Sequence, residues 1–149
     1  FARERFGGVV PAGGVAGDAE RELAAGIDAS IGAIAARFAA LEFRPAVAEL
    51  RAAWGLGAGY LARKRPWHLL EREDAALAAR SCVSLVAVLA RLSTPLLPFT
   101  AERLLDALGV PVRARGWPAG FEPAALVPGH AFGAPPPLFQ QAETSPICG

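Results

Sequence analysis

The residue types best suited to binding chemistry lie in one short run of the chain, residues 60–70. Cationic or potentially cationic side chains surround a tryptophan there: Arg63, Lys64, Arg65 and His68 about Trp67. An indole offers a flat face on which an unpaired nucleobase can stack, and neighbouring cations neutralise phosphates and add cation–π contacts. The run therefore predicts a site for single-stranded nucleic acid.

Trp67 also has a purely structural interpretation. Tryptophan is a highly buried residue on average, so the ring could cap a helical core while the charges form a solvated helix end. The two interpretations differ in one observable property, which is the exposure of one face of the indole to solvent.

Catalytic and metal-binding patterns are absent from the sequence. Carboxylates fall at predicted helix starts or on solvent faces, where acids usually serve as caps: Asp18, Glu20, Glu22, Glu71, Glu73 and Asp74. Cys82 and Cys148 are isolated, without a CxxC or a histidine pair at metal-ligand spacing, and Cys82 is predicted to be a buried structural thiol. His130 lies in a Gly/Pro-rich segment. The sequence therefore predicts no catalytic residue, no metal site and no cofactor in this chain.

Composition limits the class of protein. The chain has 149 residues, of which 53% are hydrophobic and 19% charged, as expected for one globular domain. Its formal net charge of +1 is too small for bulk electrostatic attraction, so nucleic-acid binding must come from a local patch. No stretch of about 20 apolar residues is free of charges, so no membrane span is predicted.

Helical periodicity accounts for much of the chain. It begins inside a helical pattern, residues 1–6, and lacks methionine, so we expect it to be the carboxyl-terminal part of a longer protein. Asp18 is the predicted N-cap of a helix of about 20 residues with this apolar face: Leu23, Ile27, Ile31, Ile34, Phe38 and Leu41. A second helix has Pro45 in its first turn and a predicted apolar face of Phe43, Val47, Leu50, Trp54 and Leu61. Its glycines at positions 55, 57 and 59 suggest close approach of a neighbouring helix, or simple drift.

Two more helices and an irregular tail complete the predicted fold. Residues 71–74 open a third long helix that ends at residues 93–95, and Thr100 can cap a short helix ended by Gly109. From Val110 onward the chain is rich in proline and glycine, and we expect this tail to pack on the helices through Trp117, Phe121, Leu138 and Phe139. The prediction is an all-α antiparallel helical bundle over residues 1–109 with an irregular carboxyl-terminal tail over residues 110–149.

The order of these features resembles the C-terminal anticodon-binding domain of methionyl-tRNA synthetase, a class I aminoacyl-tRNA synthetase. The most specific likeness is to the family's N-x-Y…PW signature, matched here by Tyr60 and by Pro66-Trp67 at the expected spacing. Other segments match in order along the chain: residues 1–11, 37–47 and 94–109, and the closing Gly129-His130 and Pro137-Leu138-Phe139. The resemblance covers essentially the whole chain.

The resemblance implies a function for the full protein and for this part of it. The full enzyme would activate methionine with ATP and join it to its tRNA, using HIGH and KMSKS signatures in a Rossmann domain upstream of Phe1. In the family, the tryptophan matching Trp67 stacks on an anticodon base, and an Asn and an Arg that would fall just before Phe1 read base edges. The tRNA-binding residues expected in this chain are Trp67, His68, Arg63, Lys64 and Arg65.

The resemblance also implies partners and a location. The partners would be the methionine tRNA and the upstream catalytic domain of the same chain, with no membrane and no DNA. The absence of an appended dimerisation domain resembles the shorter monomeric forms of the family, including mitochondrial ones. We therefore expect a monomer in the mitochondrial matrix, with the cytoplasm as the alternative.

Two positions depart from the family's pattern. Ala58 stands where the family has asparagine, which argues against RNA contacts around Tyr60, and Gln140-Gln141 stands where a basic residue is common. Two alternative functions stay open. One is a structural bundle without RNA contact, and the other is the equivalent domain of a class I synthetase for leucine, valine, isoleucine or cysteine. The spacing from Tyr60 to Trp67 favours the methionyl family over its sisters.

Overall fold

Helices dominate the computed structural model, which describes residues 2–69, 72–123, 125–134 and 137–138. In chain order they are α1 (Ala2–Phe6), α2 (Asp18–Ala39), α3 (Phe43–Lys64), α4 (Arg72–Ser93) and α5 (Pro98–Ala107). Short 3₁₀ turns occupy Pro66–His68 and Val112–Ala114. Within the described ranges, extended pairing is limited to one isolated antiparallel bridge between Val9 and Ala131. The all-α prediction is confirmed.

The α2 helix follows its predicted apolar face closely. Its buried residues are Glu20, Leu23, Ile27, Ile31 and Ile34, which recur at spacings of three and four. Its N-cap is Gly17 and not Asp18, because the amide of Gly17 donates to Glu20 Oε2 at 2.9 Å. The prediction of Asp18 as the cap was therefore wrong by one residue.

A three-residue turn, Ala40 to Glu42, reverses the chain between α2 and α3. Leu41 adopts a left-handed backbone conformation with φ of 60° and is 73% exposed, so it does not extend the apolar face of α2 as predicted. The amide of Leu41 donates to the Phe38 carbonyl, and that of Glu42 donates to the Arg37 carbonyl. An ion pair of 2.7 Å between Arg37 and Glu42 closes the turn. Such a short connection makes α2 and α3 antiparallel neighbours.

The α3 helix buries small residues where large ones were predicted. Its buried face is Ala46, Leu50, Ala53, Gly57 and Tyr60. Trp54 is 39% exposed and its indole donates to Ser93 Oγ at 3.3 Å, so the predicted core role for Trp54 was wrong. A Cβ added at Gly57 would lie 2.9 Å from Leu85 Cδ2 on α4. Small side chains therefore let α3 approach α4, and Gly57 confirms the predicted close approach.

The α4 helix is the centre of the bundle and is buried along nearly its whole length. Its length and mean hydropathy of 1.7 would suit a membrane span, but 78% of the apolar stretch is covered by the rest of the protein. One hydrophobic cluster joins α4 to α2 and α3, and a second joins it to α5 and Val10. The α5 helix has Leu97 as its N-cap and Pro98 in the first turn, so the predicted Thr100 cap was wrong.

The described part of the tail packs on the bundle. Phe121 is buried in the cluster formed with α2, α3 and α4, and Trp117 packs edge-on against Phe38 with ring centres 6.3 Å apart. Leu138 packs on the second cluster, whereas Phe139, Gln140, Gln141 and Cys148 lie outside the described residues. His130 Nε2 donates to the Leu108 carbonyl at 2.6 Å, which fastens the tail to the end of α5.

Candidate nucleic-acid interface

The predicted indole site forms where α3 ends. Proline cannot continue a helix, so α3 stops at Lys64, and Arg65 caps it in the left-handed conformation with φ of 43°. The amide of Arg65 still donates to the Leu61 carbonyl at 2.9 Å. Pro66 is buried against the bundle and begins a single 3₁₀ turn. This turn carries Trp67 away from the core.

Trp67 is 53% exposed, so it is not the core residue of the structural interpretation. Its ring contacts the imidazole of His68 edge-to-face, with centroids 6.3 Å apart and an interplanar angle of 60°. An indole presented in this way retains surface on which an unpaired base could stack. The geometry therefore suits the chemistry predicted from the sequence.

The three cations before Pro66 have different surroundings. Arg63 pairs with Glu22 at 2.8 Å, and both side chains are more than half exposed. Lys64 pairs with Glu20 at 2.8 Å, and its side chain is only 24% exposed. Arg65 is exposed and donates from Nε to the Ala62 carbonyl at 3.3 Å. The chain therefore presents Arg63, Arg65 and His68 to solvent beside Trp67 and turns Lys64 inward.

The inward lysine belongs to a buried polar network around Glu20. The carboxylate has no exposed surface, and its Oε1 accepts from Tyr60 Oη and Lys64 Nζ, each at 2.8 Å. Its Oε2 accepts from the amide of Gly17 at 2.9 Å. Burial alone would raise the pKa of Glu20, but the hydrogen bonds from Lys64, Tyr60 and Gly17 outweigh burial and lower it. Burial also raises the pKa of Tyr60, which keeps its hydroxyl a donor.

Sequence reasoning assigned Glu20 only to the first turn of α2. A signal for its burial was nevertheless present, because Glu20 precedes Leu23 by three residues and Ile27 by seven. Those spacings place its side chain on the apolar face of α2. A carboxylate on a buried face requires donors.

A hydrogen bond from α1 holds the chain on the carboxyl-terminal side of the Trp67 turn. Arg5 Nη1 on α1 donates to the carbonyl of Leu69 at 2.8 Å. Arg5 and Arg72 line a cleft of about 330 Å³ together with Phe6, Val9, Pro11 and Ala12. The hydrogen bond therefore ties α1 to the chain two residues after Trp67.

The surroundings offer little for covalent or metal chemistry. No group of three or more potential metal-ligating side chains occurs among the residues that the structure describes. Burial raises the pKa of Cys82 to about 12, so its sulfur is a neutral thiol and a poor nucleophile near neutral pH.

The fold matches that of solved tRNA synthetases. The crystal structure of Mycobacterium tuberculosis methionyl-tRNA synthetase bound by methionyl-adenylate superimposes with a TM-score of 0.79 at 24% identity, over 93% of this chain and 28% of that chain. A second structure of the M. tuberculosis synthetase, in complex with methionyl-adenylate, also gives a TM-score of 0.79, at 25% identity and the same coverage. The likeness defines the fold as the one that this part of those synthetases adopts.

Sequence relatives name the family. The methionine–tRNA ligase of Hyphomonas neptunium is 35% identical over 156 residues, and that of Maricaulis maris is 37% identical over 153 residues. Each alignment covers 99% of this chain but only 27% of the relative, so the chain spans about a quarter of their length. The family model described as the anticodon binding domain of methionyl tRNA ligase matches residues 10–146. The chain belongs to this family, which confirms the predicted resemblance and decides against the sister synthetases.

Proposed function

We propose that the chain reads the anticodon for a ligase that joins methionine to its tRNA. The ATP-dependent chemistry would belong to a catalytic domain outside this chain, which spans about a quarter of the length of its relatives. Membership of the anticodon-binding family supports the role of this part.

The exposed indole of Trp67 is the observation that carries the proposal. Bases splayed out of an anticodon loop are recognised by aromatic stacking and by hydrogen bonds to their edges. Trp67 supplies the stacking surface, because the buried Pro66 fixes the turn while Trp67 itself stays 53% exposed. Arg63 and Arg65 would meet neighbouring phosphates without regard to sequence, and His68 would support the indole or contact the same nucleotide.

The size of the effect follows from the stacking energy. A base stacked on an aromatic side chain contributes about 1–3 kcal/mol, as measured by alanine substitution. Loss of the ring should therefore lower kcat/KM for the cognate tRNA by about 5- to 140-fold, since 1.4 kcal/mol corresponds to a factor of ten. A tRNA with a substituted anticodon should lose less, because its altered base edges already keep the anticodon loop from docking fully on the ring.

Trp67→Ala in the full-length ligase tests the proposal. Aminoacylation would be measured with a tRNA carrying CAU, the complement of the methionine codon AUG, and with anticodon-substituted versions of that tRNA. Trp117→Ala is the matched control, because it also removes an indole but at the other end of α2. Trp117 contacts Phe38, which lies about 18 residues, or about 27 Å, along α2 from Glu20, and Glu20 pairs with Lys64 next to the Trp67 turn. An unchanged ratio of kcat/KM between cognate and substituted tRNAs in Trp67→Ala would contradict the stacking role.

Location and assembly are separate proposals. The relatives named above are bacterial, so they lend no support to the mitochondrial matrix, and the cytoplasm stays the alternative. A monomeric ligase that uses neither DNA nor a membrane remains a prediction. Light scattering of the full-length protein and imaging of a tagged copy in its own cells test these points.

A further inference from the structure

We infer that Glu20, Tyr60 and Lys64 form a buried clamp that positions Trp67 for the nucleotide, and that Lys64 serves this clamp and not a phosphate. The inference rests on the proposed function, because it says how the stacking surface is held. Glu20, Tyr60 and Lys64 are positioning residues, since they act on the RNA only through Trp67.

The clamp joins the start of α2 to the last turn of α3. Tyr60 and Lys64 are four residues apart, so they lie on one face of α3, and both donate to Glu20 Oε1 at 2.8 Å. The other carboxylate oxygen accepts the amide of Gly17 at 2.9 Å, just before α2 begins. Because Glu20 is fully buried, water cannot replace donors that are lost.

Few degrees of freedom separate the clamp from the indole. Lys64 is the last residue of α3, and only Arg65 and the buried Pro66 stand between it and Trp67. Proline fixes its own φ, and Arg65 is held in an uncommon left-handed conformation. If the last turn of α3 moved, Trp67 would therefore move with it, because the two residues between them allow little backbone rotation. Arg5 holds the opposite flank through the carbonyl of Leu69.

Arg63 and Lys64, which are adjacent on α3, should therefore differ in whether they can contact a phosphate of the RNA. If Lys64 turned to a phosphate, it would leave a fully buried carboxylate without its charged partner, which is strongly unfavourable. Arg63 can leave Glu22 at little cost, because side chains on both sides of that ion pair are more than half exposed. Arg63 is therefore available to a phosphate and Lys64 is not.

The salt dependence of tRNA binding separates the two roles. Full-length ligase variants Lys64→Met and Arg63→Met each remove one cation, and their dissociation constants for the CAU tRNA would be measured across a series of KCl concentrations. Arg63→Met should reduce the slope of log Kd against the logarithm of the KCl concentration by about 0.7, as expected for one lost contact to a single-stranded phosphate. Lys64→Met should weaken binding without changing the slope. An equal fall in slope for both variants would overturn the inference.

A double-mutant cycle tests whether the clamp acts through the indole. Tyr60→Phe keeps the ring in the core and removes one donor to Glu20, and it is combined with Trp67→Ala in the full-length ligase. If the clamp positions Trp67, the loss of kcat/KM caused by Trp67→Ala should be clearly smaller in the Tyr60→Phe background. Equal losses in the two backgrounds would contradict the clamp while leaving the stacking role intact. No loss in the parent background would instead contradict the stacking role itself.

Folding of the variants is controlled within the same design. Amide hydrogen exchange of the peptide over residues 60–69 should rise in Tyr60→Phe and Lys64→Met and stay unchanged in Arg63→Met. If Tyr60→Phe does not fold, Lys64→Met takes its place in the cycle, because the two changes remove different donors from the same carboxylate. Unchanged exchange in both clamp variants would also overturn the inference.

Discussion

Gly57 of α3 should resist substitution by alanine, whereas Gly59 on the same helix should accept it. A Cβ at Gly57 would lie 2.9 Å from Leu85 Cδ2 and 3.5 Å from Leu89 Cδ1, and both leucines are buried on α4. A Cβ at Gly59 would have no such neighbour within 4 Å. The two positions therefore share a helix and differ in the space around the new methyl group.

The expected magnitudes follow from helix propensity and packing. Alanine gains about 0.5–1 kcal/mol over glycine in a helix interior, so Gly59→Ala should raise the free energy of unfolding by that amount. At Gly57 the same gain is opposed by overpacking against Leu85, which costs about 1–3 kcal/mol in a filled core. Gly57→Ala should therefore range from neutral to destabilised by about 2.5 kcal/mol.

Urea unfolding of the 149-residue chain, followed by circular dichroism, measures both variants on one scale. The urea concentrations at the midpoints of unfolding should differ between Gly57→Ala and Gly59→Ala. The slope m of the free energy against urea concentration should be the same for both variants. A Leu85→Ala background provides the control, because removal of the leucine methyls should abolish the penalty at Gly57. Equal stabilisation by the two substitutions would refute the close packing of α3 on α4.

Three further predictions concern a turn, a buried carboxylate and the tail. Leu41→Gly should raise the free energy of unfolding, measured in urea, by up to about 1 kcal/mol, because glycine adopts the left-handed conformation without the cost of a Cβ. A lower stability of this variant would contradict the turn geometry. Because the folded-state pKa of Glu20 is lowered, its contribution to stability is present above its ordinary pKa of 4.5 and is lost as pH falls through the folded-state value. Glu20→Gln should therefore lose less stability than the parent between about pH 6 and about pH 3, and parallel pH profiles of unfolding would count against the network. His130→Ala should lower the free energy of unfolding by about 1–3 kcal/mol, because it leaves the Leu108 carbonyl without its partner, and a chain as stable as the parent would show that this bond does not fasten the tail.

The fold was predictable where apolar residues recur with a clear period. Leu23, Ile27, Ile31 and Ile34 define α2 because each is large and points to the core. The same reasoning failed on α3, where Trp54 was chosen for the core and Ala53 is buried instead. Size is a poor guide there, because close helix packing selects small residues, and the sequence does not say which face meets a neighbour.

The candidate site was predictable in its exposed parts and not in its buried ones. Trp67 and its cations were identified from residue type and from the proline that ends α3. The ion pair of Lys64 with Glu20 joins residues far apart in sequence, so only the approach of α2 and α3 reveals it. Placement of Glu20 on the apolar face of α2 was the one available signal, and a capping role accounted for the residue equally well.

Fluorescence of a base analogue in the anticodon tests the stacking claim most directly. 2-Aminopurine would replace each anticodon base in turn, and its emission would be recorded on saturation with full-length ligase, with Trp117→Ala as the control. At one position the parent and the control should quench the analogue through the Trp67 stack, and Trp67→Ala should not. The same emission with the parent and with Trp67→Ala at all positions would contradict the account.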